Sequence, residues 1–480
     1  MQEYTRAFSS SQKDHLMGRQ GLVKTFDNVF QFDMFTGLIL HGQRQIGKSW
    51  FLKDYCKNKA TIYFTATRNL AECADELRSR ILEFLANKDM PEIVQDVYAA
   101  VSFYDLIASV FKISTRIPRM FLIIDEFNYL VETENFDIYA FKRVIDKFKD
   151  ESVLRFILCG SNSGILSTLA DVNKPLYGRF AYCIEMSRVS YKATLMYLSS
   201  YEDNPEKLMC GMLCSGMPQL IVQAASFNSL SQFINYLFGT SPEVIRSYVE
   251  YLMLSERVHR DAANAVVAAL AGKDKTLNDL NVELAPVMST TQFKAVMKQL
   301  LDTRLIEPRI NLFSKHMKSR VYLHLNSTLF VLYAAYLKQG HRLIEDFRVH
   351  SPKVHALFGH AFEDLCNEFL IDHLELECLS KGFWEDIVGP NKQRHEADNV
   401  IVCEPKQIAL INECKFTEQP VTNKIIEDLL ADCDYISTGK LVKQPVCIAN
   451  TFSSSVDRQN SSALLFDLHD LINWYRNSNF

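Results

Sequence analysis

The apolar and polar positions change rhythm several times along the chain. The first third alternates two patterns. Short, nearly unbroken apolar runs occur at Gly37-Leu38-Ile39-Leu40-His41, Thr61–Phe64, Met120–Ile124 and Leu154–Cys159. Each predicts a short strand, and the third, four or more apolar residues closing on two acids, predicts one buried in a parallel sheet. Between them, apolar residues recur at helical spacing: Leu22, Val23, Phe26, Val29 and Phe30, then Trp50–Tyr55, then Asn69–Phe84. Strands alternating with helices predict an α/β fold with a parallel sheet.

The middle of the chain reads differently. From Ser190 to Leu254 the spacing is helical, interrupted at Gly216-Met217-Pro218 and Ser241-Pro242, as in a helical lid following the sheet. Helical stretches Ala262–Ala271 and Thr291–Leu301 then precede Leu305-Ile306-Glu307-Pro308, a polar turn, and Arg320–Leu325. Helices closed by a strand pair predict a winged-helix arrangement. Its cations Lys294, Lys298, Lys315, Lys318 and Arg320 could meet phosphates, or could simply be solvated on a protein–protein spacer.

Past Pro352 a helix is expected over Lys353–Leu374, with Phe358, Phe362, Leu365, Cys366 and Phe369 on one face and Glu363 at its border. A hairpin follows, from Asp398 through Asn399–Cys403, a turn at Glu404-Pro405-Lys406, and Ile408–Ile411 into Glu413-Cys414-Lys415. The boundaries read 1–189, 190–255, 256–340 and 341–480.

Chemistry enters at Gly42-Gln43-Arg44-Gln45-Ile46-Gly47-Lys48-Ser49, an ungapped G-x-x-x-x-G-K-[ST] between a strand and a helix that begins near Trp50. The glycines let the backbone turn its N–H groups inward, and the helix N-terminus adds positive potential, so this is a cradle for phosphates. Lys48 would reach the β- and γ-phosphates and Ser49 would bind Mg²⁺. The third apolar run ends in Asp125-Glu126, emerging at the same sheet edge. Asp125 would hold Mg²⁺ through water and Glu126 would polarise the attacking water. The fourth run ends in Gly160-Ser161-Asn162-Ser163, where Ser161 or Asn162 could sense the γ-phosphate. Arg19 could reach the nucleotide or be an ordinary surface residue. Arg179, in the turn Pro175–Phe180, could be an arginine finger, in trans if the chain oligomerises, or a structural arginine paired with a nearby acid.

In the terminal hairpin, antiparallel pairing brings Asp398 and Glu413 to one end of the ladder, and the strand period puts Glu413 and Lys415 on one face. Two carboxylates can hold a hard cation, and Lys415 beside them can position or deprotonate a water for attack on phosphorus. A salt-bridged surface hairpin is the alternative.

Composition narrows the picture a little. A chain of 480 residues favours about three domains. A net charge of −5 argues against a uniformly basic nucleic-acid binder but leaves room for a local basic groove. The 12 cysteines stand singly with no C-x-x-C pair, which fits thiols of a reducing compartment. No signal pattern and no long apolar run is visible, so a cytoplasmic protein without a membrane span is expected.

Taken together, Gly18-Arg19, Gly42–Ser49, Leu122–Glu126, Cys159-Gly160-Ser161, Leu176–Phe180 and Gly216-Met217-Pro218 resemble the archaeal-type ATPase family, a branch of the signal-transduction (STAND) ATPases related to AAA+ proteins. The C-terminal part resembles the domain of unknown function often fused to it, with a restriction-endonuclease-like PD-(D/E)xK fold. The resemblance spans nearly the whole chain. It implies ATP rather than GTP as the ligand, and it puts Glu363, Asp398, Glu413 and Lys415 on the nuclease motif positions, the three acids as metal ligands. Ala397 stands where the motif has proline. The expected activity is ATP hydrolysis by a DNA-associated protein, as a homo-oligomer or with a protein partner. The alternative is a nucleotide-controlled scaffold whose last domain binds without cutting.

Overall fold

Parallel pairing of the short apolar runs builds the first of two units, which ends at Arg188. The computed structural model describes residues 18–477 except 162, 239–244, 246–248, 250–259, 272, 316–320, 340–351, 378–379 and 390. The readings of Asn162, Ser241-Pro242, Lys318 and Arg320 therefore lie outside the described residues.

The first unit runs α1 (Gln20–Val29), β1 (Thr36–His41), α2 (Lys48–Tyr55), β2 (Thr61–Thr65), α3 (Leu70–Leu85), α4 (Pro91–Ala99), α5 (Phe103–Arg116), β3 (Phe121–Asp125), α6 (Phe127–Val131), α7 (Ile138–Phe148), β4 (Arg155–Gly160), α8 (Ser163–Leu166) and β5 (Phe180–Glu185). The strands lie in the order β2-β3-β4-β1-β5, all parallel. Every residue of β1 and β3 is buried, as their unbroken apolar runs require. One face is covered by α1 and α2 through Phe26, Phe30, Phe51 and Leu52, and the other by α3, α5 and α7 through Leu77, Ile81, Phe111 and Phe141. α3 starts where the Asn69 side chain accepts hydrogen bonds from the Ala71 and Glu72 amides.

The sequence pattern misses some of this. β5 is not among the predicted strands although Phe180–Ile184 is an apolar run; it is an edge strand in which Ala181–Cys183 are exposed. Between the second and third apolar runs stand α4 and α5, the latter begun by a reciprocal Ser102–Asp105 capping box that was legible in the sequence.

The second unit begins at Val189. It contains α9 (Tyr191–Tyr197), α10 (Pro205–Cys214), α11 (Pro218–Ala224), α12 (Leu230–Phe238), α13 (Arg260–Leu270), α14 (Leu277–Leu284), α15 (Thr290–Asp302), β6 (Ile306–Ile310), β7 (Val321–Leu325), α16 (Thr328–Gln339), α17 (Pro352–Leu357), α18 (Gly359–His373), β8 (Ser380–Val388), β9 (Gln393–Cys403), β10 (Ile408–Lys415), α19 (Asn423–Tyr435), β11 (Val442–Ala449), β12 (Leu464–Phe466) and α20 (Leu468–Arg476). The break at Gly216 is real: Ser215 and Gly216 are both left-handed (φ 49° and 65°), and Pro218 opens α11. β6 and β7 form the expected antiparallel ribbon after α13–α15.

The last sheet has the order β12-β11-β10-β9-β8. β8, β9 and β10 are antiparallel neighbours, and β11, reached through α19, runs parallel to β10. Two expectations are corrected here. The helix read over Lys353–Leu374 is interrupted at Phe358, giving α17 and α18. Asp398 sits in mid-strand rather than at a strand start, because pairing with β8 extends β9 back to Gln393.

The ribbon is also sewn to this sheet. Beyond β6, the Leu312 amide donates to Phe383 O (2.8 Å), the Asn311 side chain exchanges hydrogen bonds with the Glu385 backbone (2.8 and 3.0 Å), and the Lys315 amide donates to Asp386 Oδ2 (2.7 Å). At the end of the chain α20 docks through Trp474 Nε1 on Asp372 (2.6 Å) and the Tyr475 hydroxyl on Asp203 (2.7 Å). Among the described residues no helix is long and apolar enough to cross a membrane.

Gly37 tests the β1–β5 seam. A Cβ there would lie 2.3 Å from Arg179 O and 2.9 Å from Phe180 Cδ1. Backbone cannot swing aside as a side chain can, so Gly37→Ala should destabilise the first unit by about 1–3 kcal/mol, measured by urea unfolding.

Candidate nucleotide site and acidic cluster

Three strands end together. β1 runs into the glycine loop, β3 into Asp125-Glu126 and β4 into Ser161, and β4 lies between the other two. Parallel pairing thus sets the loop, the acids and Ser161 along one carboxyl edge.

The loop takes the expected left-handed turns, with φ 153° at Gly42, 64° at Gln45 and 91° at Gly47. A Cβ at Gly42 would meet Met186 O at 2.4 Å, so the first glycine is required by packing as well as by its turn. Gly47 caps α2, which begins at Lys48 and Ser49. Lys48 Nζ donates to Gly42 O (2.8 Å) and Gln43 O (2.7 Å), which holds the ammonium inside the loop's curl. Ile46 is buried beneath the loop. The Gln45 Oε1 atom is buried without a hydrogen-bond partner. Trp50 is on the first turn of α2 and is exposed.

Asp125 is buried, accepting from the Tyr63 hydroxyl at Oδ2 (2.5 Å) and from the Glu126 amide at Oδ1 (3.0 Å). Tyr63 also reaches Ser49, so its hydroxyl lies between the two oxygen donors expected to hold Mg²⁺. Burial, then the Asp125 charge, pushes the Tyr63 phenol well above its usual range, so it stays a neutral donor. A buried carboxylate and a serine hydroxyl, both within reach of Tyr63, are oxygen donors of the kind a hard, largely hydrated divalent cation takes.

Glu126 has a left-handed backbone (φ 52°) that turns the chain into α6. Its Oε2 accepts from the Ser161 hydroxyl (3.3 Å) and lies 4.0 Å from Arg44 Nη2. Arg44 Nε donates to Ser161 Oγ (3.3 Å), and Nη2 donates to the Tyr129 hydroxyl. The sequence did not point to Tyr63, Tyr129 or Arg188, because no spacing rule ties them to the loop. Arg188 Nε donates to Gln43 Oε1 (2.9 Å). Arg19 is buried and braces the loop: Nη2 donates to Ile46 O (3.2 Å) and Nη1 to Arg188 O (3.3 Å). Burial lowers its pKa to about 10.

Arg179 is not brought to this site. It precedes β5, whose start pairs with the start of β1, so it stands at the opposite edge of the sheet from the loop. Its Nε and Nη2 both donate to Asp146 (2.8 Å each). The in-cis catalytic reading is therefore corrected to a structural ion pair, for the topological reason that β5 must cross the sheet before reaching the phosphate edge.

In the second unit the β9–β10 register reaches Asn399↔Asn412, and Asp398 and Glu413 occupy the next positions, at one ladder end as expected. Lys415 Nζ contacts Glu413 and lies 3.6 Å from Asp398 Oδ2, which also accepts from the Cys414 amide (2.8 Å). Burial, then Asp398, raises the Glu413 carboxyl to about 7. Burial also raises Asp398. Lys415 stays above its usual value because the two acids outweigh its own burial.

Glu363 has a different partner. Arg309, on β6, donates through Nη2 to Glu363 Oε2 (2.5 Å) and to Asp398 O (2.7 Å), and through Nη1 to Asp274 (3.3 Å). His360 joins Asp274 (3.1 Å) and Glu363 (3.4 Å), and these acids lift it to about 10 against its burial. Burial would raise Glu363, but His360 and Arg309 hold it below its usual range. Glu363 is thus neutralised by a guanidinium. Among the described residues no group of three acids, histidines or cysteines stands as a metal site. Only the His360–Glu363 spacing could have hinted at this cluster, since Asp274 and Arg309 lie far off in sequence.

Residues 35–195 match the family model described as an AAA domain. An uncharacterised protein of Methanocaldococcus jannaschii is 22% identical over 467 residues, covering 94% of this chain and 99% of its own. The solved structure of a Walker-type ATPase of Pyrococcus abyssi aligns with a TM-score of 0.51 at 16% identity, over 68% of this chain and 98% of that one. Residues 35–195 are thus similar to an AAA domain, and the fold resembles that of a Walker-type ATPase.

Two outcomes follow from the acidic cluster. Arg309→Ala leaves Glu363 and Asp274 buried with less compensation and should destabilise the second unit by about 3 kcal/mol or more, read by denaturant unfolding. Glu413 has a folded pKa raised from the usual 4.5 to about 7. The folded state then keeps a proton that the unfolded chain has released, so stability should fall as pH rises through that window. Glu413→Gln should flatten this slope, and Lys415→Ala should push the Glu413 titration higher still, measured by NMR of the carboxyl carbon.

Proposed function

We propose that the chain binds and hydrolyses ATP and works on nucleic acid. The observation that carries this is the meeting of Lys48, Ser49, Asp125, Glu126 and Ser161 at one sheet edge. In this reading the loop amides and Lys48 grip the phosphates. Ser49 and Asp125 would hold Mg²⁺, whose charge would offset the charge on the phosphate oxygens. Glu126 orients a water whose oxygen bonds to the γ-phosphorus as the bond to the β–γ bridging oxygen breaks. ADP leaves with that electron pair, and the water's proton passes through Glu126 to the solvent or the released phosphate.

The nucleic-acid part rests on the second unit. We read α9–α12 as a lid, and α13–α15 with the β6–β7 ribbon as a winged helix. The order α18-β8-β9-β10-α19-β11, with Asp398, Glu413 and Lys415 at one ladder end, supports a PD-(D/E)xK-like domain. Arg179 could act in trans only in an oligomer that breaks its Asp146 pair. The free, largely buried cysteines suit a cytoplasmic location.

One observation favours a second reading. Arg309 occupies Glu363, so the second unit could hold a partner or a nucleic acid without cutting it, with nucleotide setting an oligomeric state.

Lys48→Ala should abolish ATP binding in a calorimetric titration. Glu126→Gln should bind ATP but lose turnover by about a hundredfold or more in a phosphate-release assay. A Mg²⁺ or Mn²⁺ nicking assay on DNA, with Asp398→Ala as control, separates the two readings. Nicking that Asp398→Ala abolishes supports the nuclease, and no nicking in either supports the scaffold.

A further inference from the structure

Arg44 is an unspecified position of the phosphate-loop motif, yet its side chain is drawn into the site and is only 12% exposed. It touches groups from two other strand ends: Ser161 after β4, and Glu126 and Tyr129 after β3. Tyr129 is also stacked by Arg68, whose guanidinium carbon lies 4.1 Å from the ring centroid, and Arg68 pairs with Glu132 at 3.2 Å. The tyrosine ring is thus held by Arg68, and its hydroxyl holds Arg44.

The resulting arrangement puts a permanent cation beside the two groups assigned to the γ-phosphate and its water. A guanidinium has five donors and no acceptor, and it binds phosphate oxygens in a forked geometry. A triphosphate seated on Lys48 would extend its terminal phosphate toward Ser161 and Glu126, where Arg44 already sits. That phosphate carries more negative charge than the single carboxylate it would compete with. A diphosphate does not reach so far.

Building on the ATPase reading above, we propose that Arg44 is the γ-phosphate-reading cation of this site. In the empty and ADP-bound states it neutralises Glu126. When ATP enters, the guanidinium turns onto the γ-phosphate and releases Glu126 to the water. Ser161, which accepts from Arg44 and donates to Glu126, is the pivot between the two positions.

The test uses the full chain and compares wild type, Arg44→Ala, Arg44→Gln and Arg44→Lys. Calorimetry gives dissociation constants for ADP and for a non-hydrolysable ATP analogue, and phosphate release gives kcat. Loss of a charge-assisted contact made only by the γ-phosphate should weaken the ATP analogue by about tenfold to a hundredfold in Arg44→Ala and Arg44→Gln, with ADP within about twofold. Arg44→Lys, which keeps the charge, should recover part of the preference for the triphosphate. Arg44→Gln retains a donor toward Ser161 and Tyr129 and covers the case in which the alanine variant does not fold. Equal weakening of ADP and the ATP analogue, or no change in either, would overturn the proposal and leave Arg44 as packing for Tyr129. Wild-type protein that binds neither nucleotide would instead sink the ATPase reading itself.

Discussion

Everything at the nucleotide site depends on parallel strand pairing. β1, β4 and β3 are neighbours running the same way, so their last residues must share one edge whatever follows them. That one constraint brings a lysine, a serine, two acids and a second serine within reach of each other, although they are spread over more than a hundred residues of sequence. The same constraint removes Arg179, which belongs to the start of a strand and so to the other edge.

Within that edge the chemistry is one of compensated charge. Lys48 is held by carbonyl oxygens of its own loop, Asp125 by a tyrosine hydroxyl and an amide, and Glu126 by Ser161 and, more distantly, Arg44. Each of these partners is one that a phosphate or a cation would replace. The site is therefore organised in advance, and little side-chain ordering remains to be done on binding. The second unit follows a related logic with a different result. Its acids are also compensated, but by Lys415 and Arg309, and Arg309 comes from a ribbon that is hydrogen-bonded along β8. The β6–β7 ribbon and the last sheet are joined through that seam.

Much of this was legible in the sequence, and the parts that were not share a cause. The four short strands β1–β4, the loop, the acid pair and the ladder end at Asp398 and Glu413 follow from local pattern: short apolar runs, a fixed glycine spacing and the period of a strand. The length of β9 was hidden because it depends on a partner strand, β8. Tyr63, Tyr129, Arg44 toward Glu126, and Arg309 toward Glu363 are long-range side-chain encounters, which no periodicity encodes. Glu363 was placed correctly on its helix, but the sequence shows the acid and not the arginine that meets it.

The account rests on the glycine loop after β1 being a seat for a polyphosphate. The measurement that addresses this most directly is a crystal structure of the full chain grown with Mg²⁺ and a non-hydrolysable ATP analogue. The account predicts the β-phosphate ringed by the amides of Gln45–Ser49, Lys48 turned from the Gly42 and Gln43 carbonyls onto the phosphates, and a cation between Ser49 and Asp125. A loop left closed on Lys48, with the nucleotide absent or bound elsewhere, would contradict it.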